Sequence, residues 1–215
     1  MGIHPILGRD YDSNVYLLTG ATPTLIDTGT GFHSREILQE ITNVLNPKTI
    51  RQIILTHEHF DHVGGTPDLL QASHNQARVG AHQDIVEKLK AGKSTFAEML
   101  GGHMPSLTIT LPLTDGTTLR CGDLTFTILS TPGHSPGSLC LYNPEEKILF
   151  SGDTVFAGGG FGRYDFPGGI YDSLLASIQR LAGLPVTALY SGHGPLVTHD
   201  AADHICQALD NIING

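Results

Sequence analysis

The chain has 215 residues, enough for one substantial core, and its 40% hydrophobic content is ordinary for a globular protein. A net charge of −9 and a pI near 5.6 give no general attraction for nucleic acid or an anionic membrane surface, which weighs against nucleases and membrane binders. Cys121, Cys140 and Cys206 are widely spaced and odd in number, so neither a disulfide framework nor a zinc–thiolate site is indicated and a reducing, cytoplasmic setting is expected. The opening stretch from Met1 to Asp10 lacks the charged start and long apolar run of a secretory signal. No apolar run approaches membrane-spanning length.

Taken in order, Ser13 to Leu18 and Thr24 to Ile26 read as two short strands joined by the turn-like Gly20-Ala21-Thr22-Pro23. Asp27-Thr28-Gly29 ends the second strand, and Asp27 is either an ordinary turn residue or a carboxylate that orients a metal-bound His. From Ser34, read as the cap, Ile37, Leu38, Ile41, Val44 and Leu45 recur at helical spacing until Asn46-Pro47 stops the helix. Ile50 to Leu55 is the next strand; a short helix at 68–72, a strand at 77–81 and a helix at 83–90 follow. That order predicts mixed α/β structure with helices covering the sheet faces.

Between 92 and 106 the periodicity fades, and two readings stand: an apolar lid over a substrate cleft, or a short helix packed on the core. His103, inside this stretch, is a candidate substrate contact. Strands at 107–109, 117–120 and 124–129, broken by turns at Thr114–Gly116 and Gly122–Asp123, predict antiparallel pairing. Further strands are read at 138–142, 147–150 and 186–190, with helices from Asp172 and from about Asp200 to Ile212. No repeat and no linker divides the chain, so one domain over 1–215 is expected.

The densest chemistry lies in Thr56-His57-Glu58-His59-Phe60-Asp61-His62-Val63-Gly64-Gly65, directly after an apolar strand. On an extended backbone His57, His59 and Asp61 alternate and point to one side. Neutral imidazole and carboxylate together suit zinc, and also iron and manganese. His134, Asp153 and His193 each sit in a glycine-flanked loop just after a predicted strand: Pro132-Gly133-His134, Gly152-Asp153 and Gly192-His193-Gly194. Strand ends collected at one sheet edge are where α/β proteins build sites. Together the motif and the three later residues supply five His and two Asp, enough for two neighbouring metals with one carboxylate shared.

This ordered set, His57-x-His59-x-Asp61-His62 and then His134, Asp153 and His193, resembles the metallo-β-lactamase superfamily over essentially the whole chain. The resemblance implies a four-layer αβ/βα sandwich. It also implies that His57, His59 and His134 hold one divalent ion, that Asp61, His62 and His193 hold the other, and that Asp153 bridges. The ions are expected to be zinc, with iron or manganese as alternatives. A bridging water acidified toward neutrality would supply hydroxide, oriented by Asp61, to attack a polarised carbonyl. His59 stands where oxygen-reducing diiron relatives carry Glu, and no ligand position carries the Cys of many true β-lactamases.

The segments Phe150-Ser151-Gly152-Asp153-Thr154 and Gly162-Arg163-Tyr164-Asp165-Phe166-Pro167-Gly168-Gly169 are similar to the glyoxalase II branch, thioesterases of hydroxyacyl-glutathione. Roughly twenty residues follow His193, so the basic helical domain of the longer enzymes is expected to be absent and the thiol carrier is left open. Arg163 is a candidate partner for a substrate carboxylate, or an ion-pair partner of Asp165. Tyr164 beside it is a second candidate contact. The competing readings are a mononuclear-iron persulfide dioxygenase using His57, His134 and Asp153, and a lactonase with the same dinuclear site. The expected partner is a small-molecule substrate, with neither nucleic acid nor membrane involved and the oligomeric state left open.

Overall fold

Two parallel β-strands, Thr24–Ile26 and Gln52–Ile54, run side by side in register, Ile26 opposite Ile54, and deliver the first half of the candidate site from one edge of a sheet. A computed structural model describes residues 2–93 and 96–215 of the protein; Met1 and two residues of the stretch at 92–106, Ser94 and Thr95, lie outside the described residues. The chain divides into two compact units, one of Met1–Leu113 with Arg120–Thr125, the other of Thr114–Leu119 with Phe126–Gly215.

The first unit is built on a six-stranded sheet in the order β1 to β6: β1 Gly2–Ile6, β2 Val15–Thr19, β3 Thr24–Ile26, β4 Gln52–Ile54, β5 Arg78–His82 and β6 Leu111–Leu113. The first three strands pair antiparallel and the last four parallel. The parallel pairing of β3 and β4 requires a crossover, which α1 (Ser34–Val44) makes. Its Ile37 and Ile41 lie fully inside a core with Val15, Leu17, Leu25, Ile53, Leu55 and Val79 of the sheet. α2 (Phe60–Val63), α3 (Thr66–Ala72) and α4 (Val86–Lys90) complete the cover, through Val63, Leu69 and Leu89.

The second unit carries a five-stranded sheet in the order β11-β10-β9-β8-β7: β7 Thr118–Cys121, β8 Leu124–Ser130, β9 Leu139–Asn143, β10 Ile148–Gly152 and β11 Ala188–Ser191. The boundary residues of β7 and β8 belong to the first unit. β8 and β10 both run antiparallel to β9, and β11 runs parallel to β10. The C-terminal ends of β8, β10 and β11 therefore share one edge. α5 (Tyr171–Ala182) and α6 (Ala201–Asn214) bury Leu174, Ile178, Leu181, Ile205, Ala208 and Ile212 against Leu129, Tyr142, Leu149 and Leu189.

The expected mixed α/β class, sheets covered by helices, is what each unit has. Several local expectations differ from the structure. β1 was not foreseen; it holds Pro5, which a sheet tolerates at an edge strand, and β1 is the edge. Ser34 is the first helical residue rather than the cap, which is His33, whose side chain makes no capping hydrogen bond to the helix. Residues 107–109 form no strand: Leu107 is buried, its N–H bonded to Leu89 C=O, and pairing begins at Leu111, parallel to β5. Within 92–106 the described residues hold a short 3₁₀ turn at Glu98–Leu100.

Candidate metal centre

Because β3 and β4 end at the same edge, Asp27 and Thr56 meet as soon as their strands finish. The Asp27 N–H donates to Ile54 C=O at 2.9 Å, and the residue then turns with φ +58°, which aims its carboxylate at the motif. Asp27 is buried, and its Oδ1 accepts the Thr56 N–H at 2.8 Å. Its Oδ2 accepts the Thr56 hydroxyl at 2.8 Å and lies 2.8 Å from His62 Nδ1. An ionised carboxylate only accepts, so the proton of His62 sits on Nδ1 and Nε2 keeps its lone pair. Thr56 Oγ1, having donated to Asp27, can accept from His57 Nδ1 at 3.2 Å, and the same logic leaves Nε2 of His57 as the ligand atom. One buried carboxylate thus sets two imidazoles, one of them through a hydroxyl. Asp27 is thus more than a turn residue, since its carboxylate reaches His62 of the motif directly.

The motif is not an extended strand to its end. His59 has extended dihedrals, φ −70° and ψ 146°, and caps α2, whose first turn carries Asp61 and His62. Alternation therefore stops at His59, and helical geometry turns Asp61 and His62 back on each other, with His62 Nε2 and Asp61 Oδ2 3.8 Å apart. His57 Nε2 and His59 Nδ1 face each other at 3.0 Å. The turn of α2 is fixed from outside: Ser13 N–H bonds Asp61 C=O at 3.0 Å, and the Thr28 N–H and hydroxyl both bond His62 C=O at 2.8 Å. Gly64 and Gly65 serve close approach rather than unusual dihedrals, since a Cβ at either would stand 2.2 Å from the carbonyl oxygen of Thr30 or Thr28.

The second unit presents its own set at the shared edge of β8, β10 and β11. His134 follows β8, Asp153 follows the irregular end of β10, and His193 follows β11, with Gly192 N–H bonded to Gly152 C=O at 2.8 Å. His134 Nδ1 donates to Arg163 C=O at 2.7 Å, which leaves Nε2 facing Asp153 Oδ2 at 3.7 Å. His193 Nε2 lies 3.6 Å from the same oxygen. Gly162 is required by this packing: a Cβ there would stand 2.0 Å from Asp153 O and 2.8 Å from His134 Nδ1.

The donor set fits a divalent metal. Two ligand atoms each about 2.1 Å from an ion at a tetrahedral angle stand about 3.4 Å apart. The separations within each unit, 3.0, 3.6, 3.7 and 3.8 Å, bracket that value. Imidazole nitrogen and carboxylate oxygen without thiolate suit zinc, iron or manganese, and His and Asp groups able to hold a metal ion are present in the chain. The buried cysteines do not compete: burial pushes Cys121 up to about 12 and Cys140 up to about 11, so neither is a thiolate near neutrality.

The side chains of Arg163 and Tyr164, two of the substrate candidates, have partners of their own. Arg163 donates to both oxygens of Asp165, at 2.9 and 2.6 Å, and its guanidinium lies 4.3 Å from the centre of the Phe166 ring. The side-chain hydrogen bond from Arg163 holds the Asp165 carboxyl below its ordinary range. Tyr164 is partly exposed and meets Tyr171 edge-on at 5.2 Å, while His103 is exposed. Thr56 and Ser13 are the functional residues the sequence reading passed over. For Thr56 the signal was present, a hydroxyl between an apolar strand and the first His; for Ser13, a backbone donor, there was none.

A model of the metallo-beta-lactamase superfamily matches residues 8–193. Hydroxyacylglutathione hydrolase GloC of Haemophilus influenzae is 33% identical over 176 residues, 78% of this chain and 79% of that one. Acyl-coenzyme A thioesterase MBLAC2 of Bos taurus is 33% identical over 180 residues, 73% of this chain and 64% of that one, so the chain spans less than two thirds of that relative. For other curated relatives the share falls to 48%. The crystal structure of BLEG-1 B3 metallo-beta-lactamase superposes with a TM-score of 0.81 at 30% identity, covering 100% of both chains. The chain belongs to the metallo-β-lactamase superfamily.

Proposed function

We propose that the chain works as one hydrolase domain over 1–215, with a two-metal centre that hydrolyses a thioester in the manner of glyoxalase II. In this reading His57, His59 and His134 would hold one ion and Asp61, His62 and His193 the other, and Asp153 would serve both. The observation that carries it is the buried Asp27 carboxylate, which fixes His62 directly and His57 through Thr56, so that both imidazoles turn Nε2 toward the other donors of the motif. Such an oriented pair is what a metal site needs, whereas two histidines in a solvated loop would need no buried anion. When bound, divalent ions lower the pKa of a coordinated water toward about 7 and polarise a carbonyl oxygen.

The rest is done by the chain's own residues. Asp61, whose side chain is 22% exposed, accepts a hydrogen bond from the attacking water and sets its direction. Asp27 and the Arg163 carbonyl keep His62 and His134 in single tautomers, so no imidazole has to reorient during turnover. The leaving group is a thiolate, which departs without a proton donor because thiols ionise near 8.5. No protein nucleophile is required, and the buried Cys121 and Cys140 are unsuited to the role.

The names of the two relatives support a thioester substrate, glutathione-borne in one and coenzyme A-borne in the other. Zinc is the proposed metal and the cytoplasm the proposed compartment; among the described residues no helix is long and apolar enough to cross a membrane. The direct test is hydrolysis of S-lactoylglutathione and acyl-coenzyme A thioesters by the metal-loaded protein and by Asp61→Ala. We expect the variant to lose at least about 100-fold in kcat, general-base assistance contributing typically that much or more, with its fold retained. Turnover by Asp61→Ala at the parent rate would contradict the mechanism.

A further inference from the structure

Three loops of the first unit leave large apolar side chains uncovered. Leu7 is 58% exposed, Tyr11 62%, Phe32 51% and Met99 77%. Tyr11 and Phe32 line a depression of about 540 Å³ together with Thr30, Leu100, Asp10 and His33. Scattered exposed apolar residues need no explanation, but two exposed aromatic rings lining one depression with Leu100 mark a surface that something covers.

What covers it is indicated by where the face leads. Phe32 meets Phe60 edge-on at 5.8 Å, and Phe60, buried, follows His59 and opens α2. Phe96 meets the His59 ring itself at 5.2 Å. Gly102 closes this aromatic seam, because a Cβ there would stand 2.3 Å from Phe60 and 3.2 Å from Phe32. The apolar face is therefore continuous with the ring of a candidate metal ligand. Its charge excludes one end of a thioester. The charge-bearing side chains lining the depression are Asp10 and His33, and the His33 ring nitrogens face Asp10 at 3.3 Å and the buried Asp12 at 2.8 Å. Such a rim sets the carboxylates of Asp10 and Asp12 beside the depression, which disfavours the anionic groups of a glutathione or coenzyme A carrier there. A neutral hydrocarbon chain meets no such penalty.

We infer that this face receives the acyl chain of the substrate, and that the enzyme prefers thioesters of apolar acids over short, polar ones such as lactate. The inference rests on the thioesterase reading above and adds the acyl class to it.

The test is a series of straight-chain N-acetylcysteamine thioesters from acetyl to octanoyl, assayed with the metal-loaded protein. It is run beside calorimetric binding of the matching 2-oxoalkyl thioethers, in which a methylene between sulfur and carbonyl blocks hydrolysis. Full burial of one methylene multiplies affinity about 4-fold; on a half-open face about 2-fold is expected, or about 60-fold in kcat/KM across the six added methylenes. Tyr11→Ser and Leu100→Ser remove apolar side chains that line the depression and lie outside the buried core. We expect the pair together to cut the octanoyl-to-acetyl ratio at least about 5-fold and to weaken octyl-length thioether binding in proportion. A flat series, or a steep one indifferent to both substitutions, overturns the inference. The thioether arm reads the face independently of turnover, so a steep binding series without hydrolysis of any thioester would uphold the apolar face and remove the thioesterase reading.

Discussion

Replacing Asp27 by Asn removes one negative charge from beneath the metal-ligand motif and changes almost nothing else. The backbone there has φ +58°, a conformation that Asn adopts more readily than most residues, so the turn keeps its shape. The native carboxylate faces three donor groups, each at 2.8 Å: Thr56 N, Thr56 Oγ1 and His62 Nδ1. An amide keeps one accepting oxygen and turns an NH₂ toward at least one of those donors. Hydrogen bonds to charged groups contribute about 1.5–3 kcal/mol each, so Asp27→Asn is expected to cost the metal-free protein about 2–3 kcal/mol. The effect on metal is separate. Losing an outer partner of a ligating His weakens binding about 10–100-fold, or about 1.4–2.7 kcal/mol. The assay is metal content after equilibration against graded chelator, paired with melting of the metal-free protein. A variant that melts lower but retains metal like the parent would reduce Asp27 to a staple between strand ends and refute the orientation argument.

Four further outcomes follow from the same geometry. Gly162→Ala places a methyl 2.0 Å from Asp153 O and 2.8 Å from His134 Nδ1, so both metal retention and melting temperature should fall; unchanged metal content would show that this loop does not brace the ligands. Among the three free cysteines, exposed Cys206 should be the one labelled by a thiol reagent in the native protein, with Cys121 and Cys140 reacting after denaturation. Burial raises the two inner thiols from 9.0 to about 12 and about 11, so on raising the pH the unfolded chain sheds these protons first. Their contribution to stability is whole below about pH 9 and declines toward pH 11–12, and a double Cys→Ala variant should show a flatter alkaline limb in denaturant titrations. Arg163→Ala separates two roles: a raised KM for acidic acyl thioesters at unchanged melting temperature marks a substrate contact, and a lowered melting temperature at unchanged KM marks the pair with Asp165 as structural.

Much of the fold was legible because apolar periodicity and turn residues agree along most of the chain. α1 runs over the positions its Ile37 and Ile41 spacing indicates, and β3 and β4 sit where the runs before Asp27 and the His motif place them. The errors came where tertiary pairing overrides local pattern. Leu107-Thr108-Ile109 alternates like a strand, yet Leu107 is drawn into the core beneath α4 and the parallel partner of β5 starts at Leu111. The end of the motif was misread for a similar reason. Alternation from His57 to Asp61 fits an extended chain, but the carbonyls of Asp61 and His62 are captured by Ser13 and Thr28, donors distant in sequence, and the chain coils at Phe60.

The site was legible in its donors and illegible in what sets them. His and Asp announce ligand chemistry by type, and glycine neighbours announce strand ends. That one carboxylate at Asp27 orients two imidazoles depends on β3 and β4 ending together, a parallel register that no local pattern encodes. The apolar face at Tyr11 and Phe32 was invisible for the same reason, since their loops come together only in the folded unit.

Metal analysis of the purified protein by mass spectrometry, with thioester hydrolysis and oxygen uptake followed on the same sample, distinguishes a two-metal thioester hydrolase from a mononuclear-iron dioxygenase. We expect two divalent ions per chain, thioester hydrolysis that disappears with chelation and returns with zinc, and no oxygen consumption with glutathione persulfide. A single iron per chain, with oxygen consumed and thioesters left intact, would contradict the hydrolase reading.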